Sequence, residues 1–426
     1  MIENIINKLA KCPMISDYRI VKTDTTTHEV FYILDKVETV RSTSLNATCM
    51  VTIYVDQDDK RGQASFTIHE SYDDKQIDAK IEEAIYQSKF SLNTYYPLPQ
   101  GDKQEFANNS NIVKHFDSDL VFKIAQAVFK ANTFADGWIS SMEVFVKENQ
   151  VRIVNSNGVD YTYFTNSIGI EVIPTFKNEK EEIELYEYLD YDNLDFDKIT
   201  ADAHEFLAQA NLRNQAQKYQ GPNELPILLQ AKEIKEIYSN LLDNLSYSTV
   251  YNKMDLMKIA DKFYGDGDDM PDISLVPYVE GSISNRMVDV DGIILQPQKI
   301  VSDNKILQNH GSNQYAYYLG IKQPTGILPN IEVAPGSHAL ASLQSVPHLA
   351  CLAFSSFQFD IFSGNFGGEV RLAKYFDGKN YHPVTGLTIG GNIHQLKAHL
   401  QFSEEVCNIK GYKGPKACLI SKMSVN

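Results

Sequence analysis

A glycine-rich segment near the C-terminus places the tightest constraint on how this chain can fold. Residues 363–368 read Ser-Gly-Asn-Phe-Gly-Gly, and glycine permits positive φ and the close approach of a neighbouring strand. Residues 369–375 alternate as in a strand, and residues 377–379, Asp-Gly-Lys, predict a tight hairpin turn. A return strand is expected over residues 381–387. These features predict a β-hairpin whose entry segment nearly lacks side chains.

The second half of the chain, residues 221–426, reads as a β-rich domain. A Gly-Pro pair marks its start, a buried strand is predicted at residues 225–229, and an amphipathic helix is predicted after it. A further helix is expected over residues 254–259. Short strands then alternate with Gly and Pro turns, which is typical of a bent, barrel-like sheet. Residues 390–392, Gly-Gly-Asn, are expected to interrupt that sheet before a helix that starts at Ile393.

The first half of the chain, residues 1–220, contains two similar successions of predicted elements. Residues about 1–93 and about 116–216 each begin with an amphipathic helix, continue through antiparallel strands and end with a helix. Residues 94–115 break this periodicity and are predicted to be a linker. The N-terminal domain is therefore predicted to be an internal duplication, and chance similarity is the alternative. The fold class predicted for the whole chain is α+β.

Composition and charge disfavour several classes of function. The formal net charge is −16, the sequence pI is near 5.1, and no Lys/Arg cluster offers the basic face that nucleic-acid binding needs. No run of about 18 apolar residues occurs, so no membrane span is expected. The five cysteines are scattered without a Cys-x-x-Cys pair, and the charged N-terminal helix does not read as a signal peptide. A reducing, cytoplasmic location is therefore predicted.

Three segments carry a resemblance to a known family. Residues 363–392 contain Ser-Gly-Asn-Phe-Gly-Gly, Asp-Gly-Lys, Pro-Val-Thr-Gly and Gly-Gly-Asn in that order. Residues 155–158, Asn-Ser-Asn-Gly, and the pair Asp291-Gly292 stand at the matching places earlier in the chain, although the two isoleucines after Gly292 depart from the usual continuation. The ordered set resembles the TldD/PmbA (TldE) family over nearly the whole chain.

The resemblance implies one of two kinds of subunit. The TldD kind is a zinc peptidase whose helix carries His-Glu-x-x-x-His, with a downstream Cys that completes the metal site. Histidines at such a spacing can turn towards one ion, and the Glu can take a proton from bound water. The TldE (PmbA) kind lacks the motif and pairs with the first, and together the two would enclose an unfolded peptide.

The zinc motif is absent from this chain. His28, His69 and His204 are each followed by Glu, but none has a second His four or five positions later. The helix that would hold the ligands follows the strand at residues 225–229, and no His occurs between His204 and His310. The chain therefore resembles the TldE kind, for which we predict no catalytic residue, no metal ligand and no cofactor of its own. Zinc is expected in a TldD-like partner.

Two other clusters could be imagined as ion sites. His382, His394, His399 and Cys407 lie close in sequence, with His394 and His399 five positions apart. A structural or surface role is favoured for all four. The aspartates of residues 266–272 miss the spacing of an EF-hand loop, so a solvated loop is favoured there.

We predict peptide binding at the glycine-rich segment, by Gly364, Asn365, Phe366, Gly367 and Gly368. If this segment forms a sheet edge, its unshielded main-chain groups could take an extended peptide by strand addition. The alternative is that the glycines only permit bending of the sheet. Under the first hypothesis, Gly367→Val weakens peptide capture without unfolding the protein.

The function predicted from these points is that of a non-catalytic, TldE-like subunit of a TldD/PmbA-type zinc peptidase complex that processes unfolded peptides. Its partners would be a TldD-like catalytic subunit and an extended peptide, with no nucleic acid and no membrane. One alternative is an autonomous homodimer that binds peptides without catalysis. Another is a peptidase with an atypical metal site, which the His spacing disfavours. The label "modulator of DNA gyrase" used for this family gains no physical support from the composition.

Overall fold

The structure, a computed structural model, describes residues 1–178 and 182–426. Its N-terminal region contains one sheet and four α-helices among these residues. The strands are β1 (Asp17–Ile33), β2 (Lys36–Gln57), β3 (Lys60–His69), β4 (Leu92–Thr94), β5 (Lys103–Glu105), β6 (Gly137–Asn155), β7 (Asp160–Lys177), β8 (Glu182–Glu184) and β9 (Glu187–Tyr191). The helices are α1 (Ile2–Lys11), α2 (Asp74–Ser88), α3 (Leu120–Phe129) and α4 (Phe196–Gln215), and a 3₁₀ helix covers Asn111–His115.

The strand order of this sheet places the two similar successions of elements side by side. The order is β4-β3-β2-β1-β6-β7-β5, and β8 and β9 also pair with β7. Strands β1 and β6 each follow the first helix of their repeat, and they lie side by side and antiparallel, from Arg19 opposite Asn155 to Ile33 opposite Ser141. Equivalent strands that meet antiparallel are what a local two-fold axis produces. The helix–strands–helix succession therefore occurs twice, and the two copies share one continuous sheet.

All four helices cover the same face of the N-terminal sheet. Along β1, the buried residues Ile20, Val30 and Tyr32 point to one side because side chains alternate along a strand. Ile20 belongs to the core formed with α1 and α2, whereas Val30 and Tyr32 belong to the core formed with α3 and α4. Each repeat therefore buries its own pair of helices on the shared sheet.

A buried arginine attaches the segment between the repeats to the sheet. Arg61 is 0% exposed, and its guanidinium donates to Asp56 at 2.7 Å and to Asp17 at 2.6 Å. The guanidinium carbon also lies 4.5 Å from the ring centroid of Tyr95. Tyr95 belongs to residues 94–115, the predicted linker, which also contains β5 and the 3₁₀ helix. The linker and the domain boundary at residues 220–221 stay predictions.

The C-terminal region contains the remaining strands and helices. The strands are β10 (Gln217–Lys218), β11 (Glu224–Gln230), β12 (Ile273–Val276), β13 (Gln298–Ser302), β14 (Lys305–Ile306), β15 (Asn330–Val333), β16 (His348–Phe359), β17 (Asn365–Phe376), β18 (Tyr381–Thr385), β19 (Leu387–Asn392), β20 (Leu400–Phe402), β21 (Val406–Ile409), β22 (Tyr412–Pro415) and β23 (Ala417–Val425). The helices are α5 (Ala231–Asp243), α6 (Tyr247–Tyr251), α7 (Asn313–Tyr318), α8 (Leu340–Leu343) and α9 (Ile393–Leu396), followed by a 3₁₀ helix at Lys397–His399.

Five of these strands close into a barrel. The order β17-β16-β11-β23-β19 returns to β17, because β17 pairs with β19 as well as with β16. Strands β10, β18 and β20 extend the barrel, and a second sheet with the order β14-β13-β12-β15-β22-β21 packs into the same core. The prediction of an α+β chain with a barrel-like C-terminal part is therefore confirmed. No helix within residues 1–178 and 182–426 is long and apolar enough to cross a membrane.

Two local predictions are wrong. Residues 254–259 are not helical, since α6 ends at Tyr251 and both Lys253 and Ala260 adopt positive φ, 58° and 75°, which a right-handed helix does not accommodate. Residues 390–392 do not interrupt the sheet but form the end of β19. They remain in the strand because β17 pairs with them directly. The helix after them is a single turn of α-helix.

Replacing Arg61 should destabilise the fold through the carboxylates that it leaves behind. In Arg61→Met, Asp17 and Asp56 would face each other without a counter-charge, and we expect the free energy of unfolding to fall by about 2–4 kcal/mol. Urea unfolding followed by circular dichroism measures this change. Arg41→Met is the matched control, because Arg41 is 60% exposed and pairs with Glu29 at 3.2 Å at the surface. Its loss should stay below about 1 kcal/mol, and equal losses in the two variants would contradict the assignment.

Candidate functional site

The segment predicted to bind peptide lies where the barrel closes. The Gly364 N–H donates to the Asp360 carbonyl at 2.7 Å, and the Gly364 carbonyl accepts from the Ile393 N–H at 2.7 Å. Gly364 has a φ of 74°, and a Cβ atom there would lie 2.2 Å from the His394 ring. Both the backbone conformation and the close neighbour therefore require glycine at this position. Strand β17 begins at the next residue.

Strand β17 is hydrogen-bonded on both sides at its glycines. Gly367 lies opposite Gln358 of β16 on one side and opposite Gly390 of β19 on the other, and Gly368 lies between the same two strands. The sheet edge that strand addition at this segment would need does not exist at these residues. Peptide binding by residues 364–368 stays a prediction, but it cannot use the free edge that the sequence led us to expect there.

The glycines allow β17 to approach both neighbouring strands closely. A Cβ atom on Gly367 would lie 2.2 Å from the Ile389 carbonyl oxygen, and a Cβ atom on Gly368 would lie 2.1 Å from the Ser356 carbonyl oxygen. Both contacts are with backbone, which cannot move aside as the end of a flexible side chain can. The expectation that Gly367→Val leaves the fold intact therefore conflicts with this geometry. The geometry favours the alternative, in which the glycines permit the shape of the sheet.

A main-chain edge near this segment belongs to β16. Strand β16 pairs with β11 only at Leu349 and Ala350, and no residue in the described part of the chain pairs with that side of residues 351–359. Aromatic side chains lie half-buried along this stretch, with 5.2 Å between the ring centroids of Phe354 and Phe357. This edge was not predicted from the sequence. The sequence feature that could have indicated this strand is the run Phe-Ser-Ser-Phe-Gln-Phe at residues 354–359, which has a strand-like mixture of apolar and polar residues.

Helix α5 follows β11 directly, where the sequence placed the helix that would hold zinc. Its residues Ile234, Ile237 and Leu241 belong to the same core as the barrel strands. The helix contains no His. Among residues 1–178 and 182–426, no group of three or more His, Cys, Asp and Glu side chains is placed to hold a metal ion. The side of α5 that faces the barrel therefore offers packing surface and no ligand set.

One carboxyl group of α5 is buried. Glu233, in the first turn, is 7% exposed. Burial raises the pKa of this carboxyl to about 7, against the opposing effects of nearby main-chain N–H groups and Lys232. A carboxylate in the first turn of a helix usually gains from the helix dipole, so desolvation dominates here. Glu233 is therefore partly protonated near neutral pH, and its charged form destabilises the fold.

Charged groups also join α5 to the N-terminal sheet. Glu187 of β9 lies 3.2 Å from Lys410 and 3.9 Å from Lys232. Lys235 of α5 donates to the Lys410 carbonyl. Burial lowers the pKa of Lys235 and raises the pKa of Asp190, which lies on the same strand as Glu187. These contacts hold the first turns of α5 against the end of the N-terminal sheet.

The two other segments that carry the family resemblance, residues 155–158 and the pair Asp291-Gly292, lie at a contact between the N-terminal and C-terminal regions. The Asn155 side-chain oxygen accepts from the Asn157 and Val159 N–H groups at 2.8 and 3.2 Å, which shapes the turn between β6 and β7. Val159 lies against Gly292, where a Cβ atom would come within 2.9 Å of its side chain. Asp291 forms an ion pair with Arg19 of β1. The motif residues therefore serve as turn and contact residues in this structure.

In the two clusters considered as ion sites, the aspartates and His382 contact other protein groups. Asp266 pairs with Lys262 at 2.5 Å, the buried Asp269 accepts from the Phe402 N–H at 2.6 Å, and Asp272 accepts from Ser302 at 2.9 Å. His382 contacts Asp377 at 3.0 Å in the β17–β18 hairpin. The aspartates thus separate into unrelated contacts, and the structural role expected for His382 agrees with its partner.

Comparison with known proteins finds similarity in structure. No protein-family model and no curated protein matches the chain. The crystal structure of TldE from Thermococcus kodakarensis matches with a TM-score of 0.81 and 14% identity, over 100% of this chain and 99% of that chain. This chain has the TldE fold. A protein described as a modulator of DNA gyrase from Bacteroides thetaiotaomicron matches with a TM-score of 0.80 and 14% identity, over 100% and 97% of the two chains. Another with that description, from Thermotoga maritima, matches with a TM-score of 0.76 and 14% identity over the whole of both chains.

Adding one methyl group should distinguish the two glycines that face each other across the β17–β19 pair. In Gly367→Ala the new Cβ would collide with the backbone of Ile389, and we expect the free energy of unfolding to fall by about 2–3 kcal/mol. In Gly390→Ala the nearest atom would be the Ser424 hydroxyl at 3.5 Å, an ordinary contact, so the change should stay within about 1 kcal/mol. Chemical denaturation measures both, and equal stability of the two variants would contradict the role assigned to Gly367.

Glu233→Gln should remove a pH-dependent loss of stability. The folded pKa of Glu233, about 7, lies above its ordinary value of 4.5, so the folded protein binds the proton more tightly and stability falls as pH rises from about 4.5 to about 7. At pH 8 the variant should be more stable than the wild type by on the order of 2–3 kcal/mol, and near pH 4.5 this difference should largely vanish. Urea unfolding at several pH values measures it. Glu236→Gln, at an exposed position of the same helix, is the control. It keeps Glu233, so its stability should follow that of the wild type at each pH.

Proposed function

We propose that this chain is a member of the TldD/PmbA family and acts as a TldE-like, non-catalytic subunit of a zinc peptidase that processes unfolded peptides. Helix α5 carries the proposal. The chain is similar along its whole length to a TldE structure, while the helix after β11 has apolar residues against the barrel and no His. A zinc peptidase site needs imidazole or thiolate ligands with an open position for water. Such chemistry would have to come from a partner chain.

The partner would be a TldD-like subunit that carries His-Glu-x-x-x-His. In the complex, zinc and its bound water would belong to that subunit, and this chain would hold the peptide and complete its enclosure. The chain would need no cofactor of its own for this role. Assembly without nucleic acid or membrane, and a cytoplasmic location, are parts of the same proposal.

An extended peptide would lie along the free side of β16. Main-chain groups on that side of residues 351–359 have no strand partner in the described part of the chain, and main-chain pairing binds peptides with little regard to their sequence. The half-buried Phe354 and Phe357 lie along the same stretch. Residues 364–368 would contribute by closing the barrel next to this strand. This placement suits a subunit that receives unfolded chains of varied sequence.

Co-expression with a chain that carries His-Glu-x-x-x-His, taken from the same genome, tests the proposal. We expect one complex of the two chains on size-exclusion chromatography, and zinc-dependent cleavage of an unstructured peptide that neither chain achieves alone. A partner variant with the motif Glu replaced by Gln is the control. It should assemble normally and bind zinc but lose cleavage, because the group that takes the proton from water is gone.

The remaining outcomes decide between the alternatives. A stable homodimer that captures peptides and ignores the zinc-motif chain would favour the autonomous binding protein. Stoichiometric zinc in this chain alone, together with cleavage, would favour a peptidase with an atypical metal site. Either result would overturn the proposed subunit role.

A further inference from the structure

A cavity of about 230 Å³ lies between the N-terminal sheet and the loop of residues 277–287, away from the barrel glycines. Phe106, Phe164 and the half-exposed Tyr278 supply aromatic surface to it, and Asn166 and Arg286 supply polar groups. An apolar protein cavity of about 150 Å³ can hold a benzene molecule. The space here is therefore sufficient for one amino-acid residue with its flanking peptide groups.

Hydrogen bonds fix the loop that forms one wall of this cavity. Asp192, directly after β9, is 8% exposed and accepts from the Gly281 N–H and from the Asn285 side chain, each at 3.0 Å. The Asn285 side-chain oxygen in turn accepts from the Asn330 side chain at 2.9 Å. The loop is thus bound to the end of the N-terminal sheet by buried polar groups, so the cavity has a defined shape before any ligand binds.

Asn166 presents an acceptor without a partner. It is 7% exposed, and its Nδ2 donates to the Asn108 Oδ1 at 2.8 Å. The Asn108 oxygen is fixed in this orientation because it also accepts from the Ser110 N–H at 3.3 Å. Asn166 must therefore turn its Nδ2 towards Asn108, and no residue of the described chain donates to its Oδ1. A buried acceptor without a hydrogen bond is costly, so a ligand that donates to it would be favoured.

Arg286 presents the complementary donor. Its Nη2 donates to the Ile327 carbonyl at 2.9 Å, which orients the guanidinium. Its Nε is buried, and within the described part of the chain it has no acceptor. The cavity is therefore lined by one residue with a free acceptor and another with a free donor, together with aromatic side chains.

We propose that this cavity binds one residue of an extended peptide. In an extended chain the N–H and C=O of a single residue point to the same side, so once the two buried groups turn towards the cavity the N–H can donate to Asn166 Oδ1 while the C=O accepts from Arg286 Nε. The side chain of the bound residue then packs against Phe106, Phe164 or Tyr278. This site rests on the proposed role in handling peptides, and it adds a second peptide contact at a distance from the barrel.

Titration of the purified chain with N-acetyl-L-phenylalaninamide, followed by protein NMR, tests the site. The probe has one apolar residue between two peptide groups. We expect saturable shifts in the resonances of the cavity residues, and about tenfold weaker binding in Arg286→Lys, since Lys has no Nε–H in this position and one charge-assisted hydrogen bond is lost. Arg41→Lys, at an exposed position of β2, is the matched control and should bind as the wild type does. Thermal unfolding of each variant checks that it is folded.

Asn166→Leu provides the second variant, because it removes the free acceptor at nearly constant volume. It should also weaken binding about tenfold, and if it does not fold, Arg286→Lys alone decides.

No saturable binding, or unchanged affinity in a folded Arg286→Lys, would overturn the site. Preferential binding of uridine, whose base also offers a neighbouring donor and acceptor, would overturn the peptide assignment. These experiments use the chain alone, so they can fail while assembly with a zinc subunit succeeds, and the reverse is equally possible.

Discussion

The pairing of β17 with β19 is the contact on which the C-terminal structure depends. Without it the strands from β17 through β16, β11 and β23 to β19 would form an open sheet. Closure brings the Ile389 carbonyl so near to Gly367 that no side chain fits between them. Helix α5 packs against other strands of the same closed sheet, β11, β16 and β23. A few residues that lack side chains thus determine whether these strands belong to a barrel or to an open sheet.

Much of this fold could be predicted from the sequence because its signals are local. Apolar periodicity indicated the two helix–strands–helix copies, and the Gly and Pro turns indicated a strongly bent sheet. The strand partners could not be predicted, because pairing is set by residues far apart in the chain. The sequence suggested that Gly367 and Gly368 could form a sheet edge. In the structure they lie between β16 and β19. Residues 390–392 read as an interruption for the same reason, since the strand that holds them in the sheet lies more than 20 residues earlier.

The candidate site was predicted less well than the fold, and the residues that carry the family resemblance explain why. Asn155 shapes a turn, Gly292 admits Val159, and Gly364 takes a left-handed conformation. All of these are requirements of the backbone, so a resemblance built on them indicates architecture more strongly than chemistry. The free side of β16 and the cavity beside Asn166 lie outside the motifs. The roles proposed for them rest on unpaired polar groups, which become visible only when every neighbour has been placed.

A helix that holds a catalytic metal must keep polar ligands and water next to the core, whereas α5 presents Ile234, Ile237 and Leu241 to the barrel. Apolar packing stabilises the fold in proportion to the surface removed from water, so a non-catalytic subunit can gain rigidity where an active one must tolerate an open site. Glu233 is an exception on this helix, since its burial favours the protonated form. It lies in the first turn, beside the charged contacts with β9. The buried Glu233 and the charged contacts of Lys232 and Lys235 therefore lie where α5 meets the N-terminal sheet, and the inward surface of the helix is used for packing.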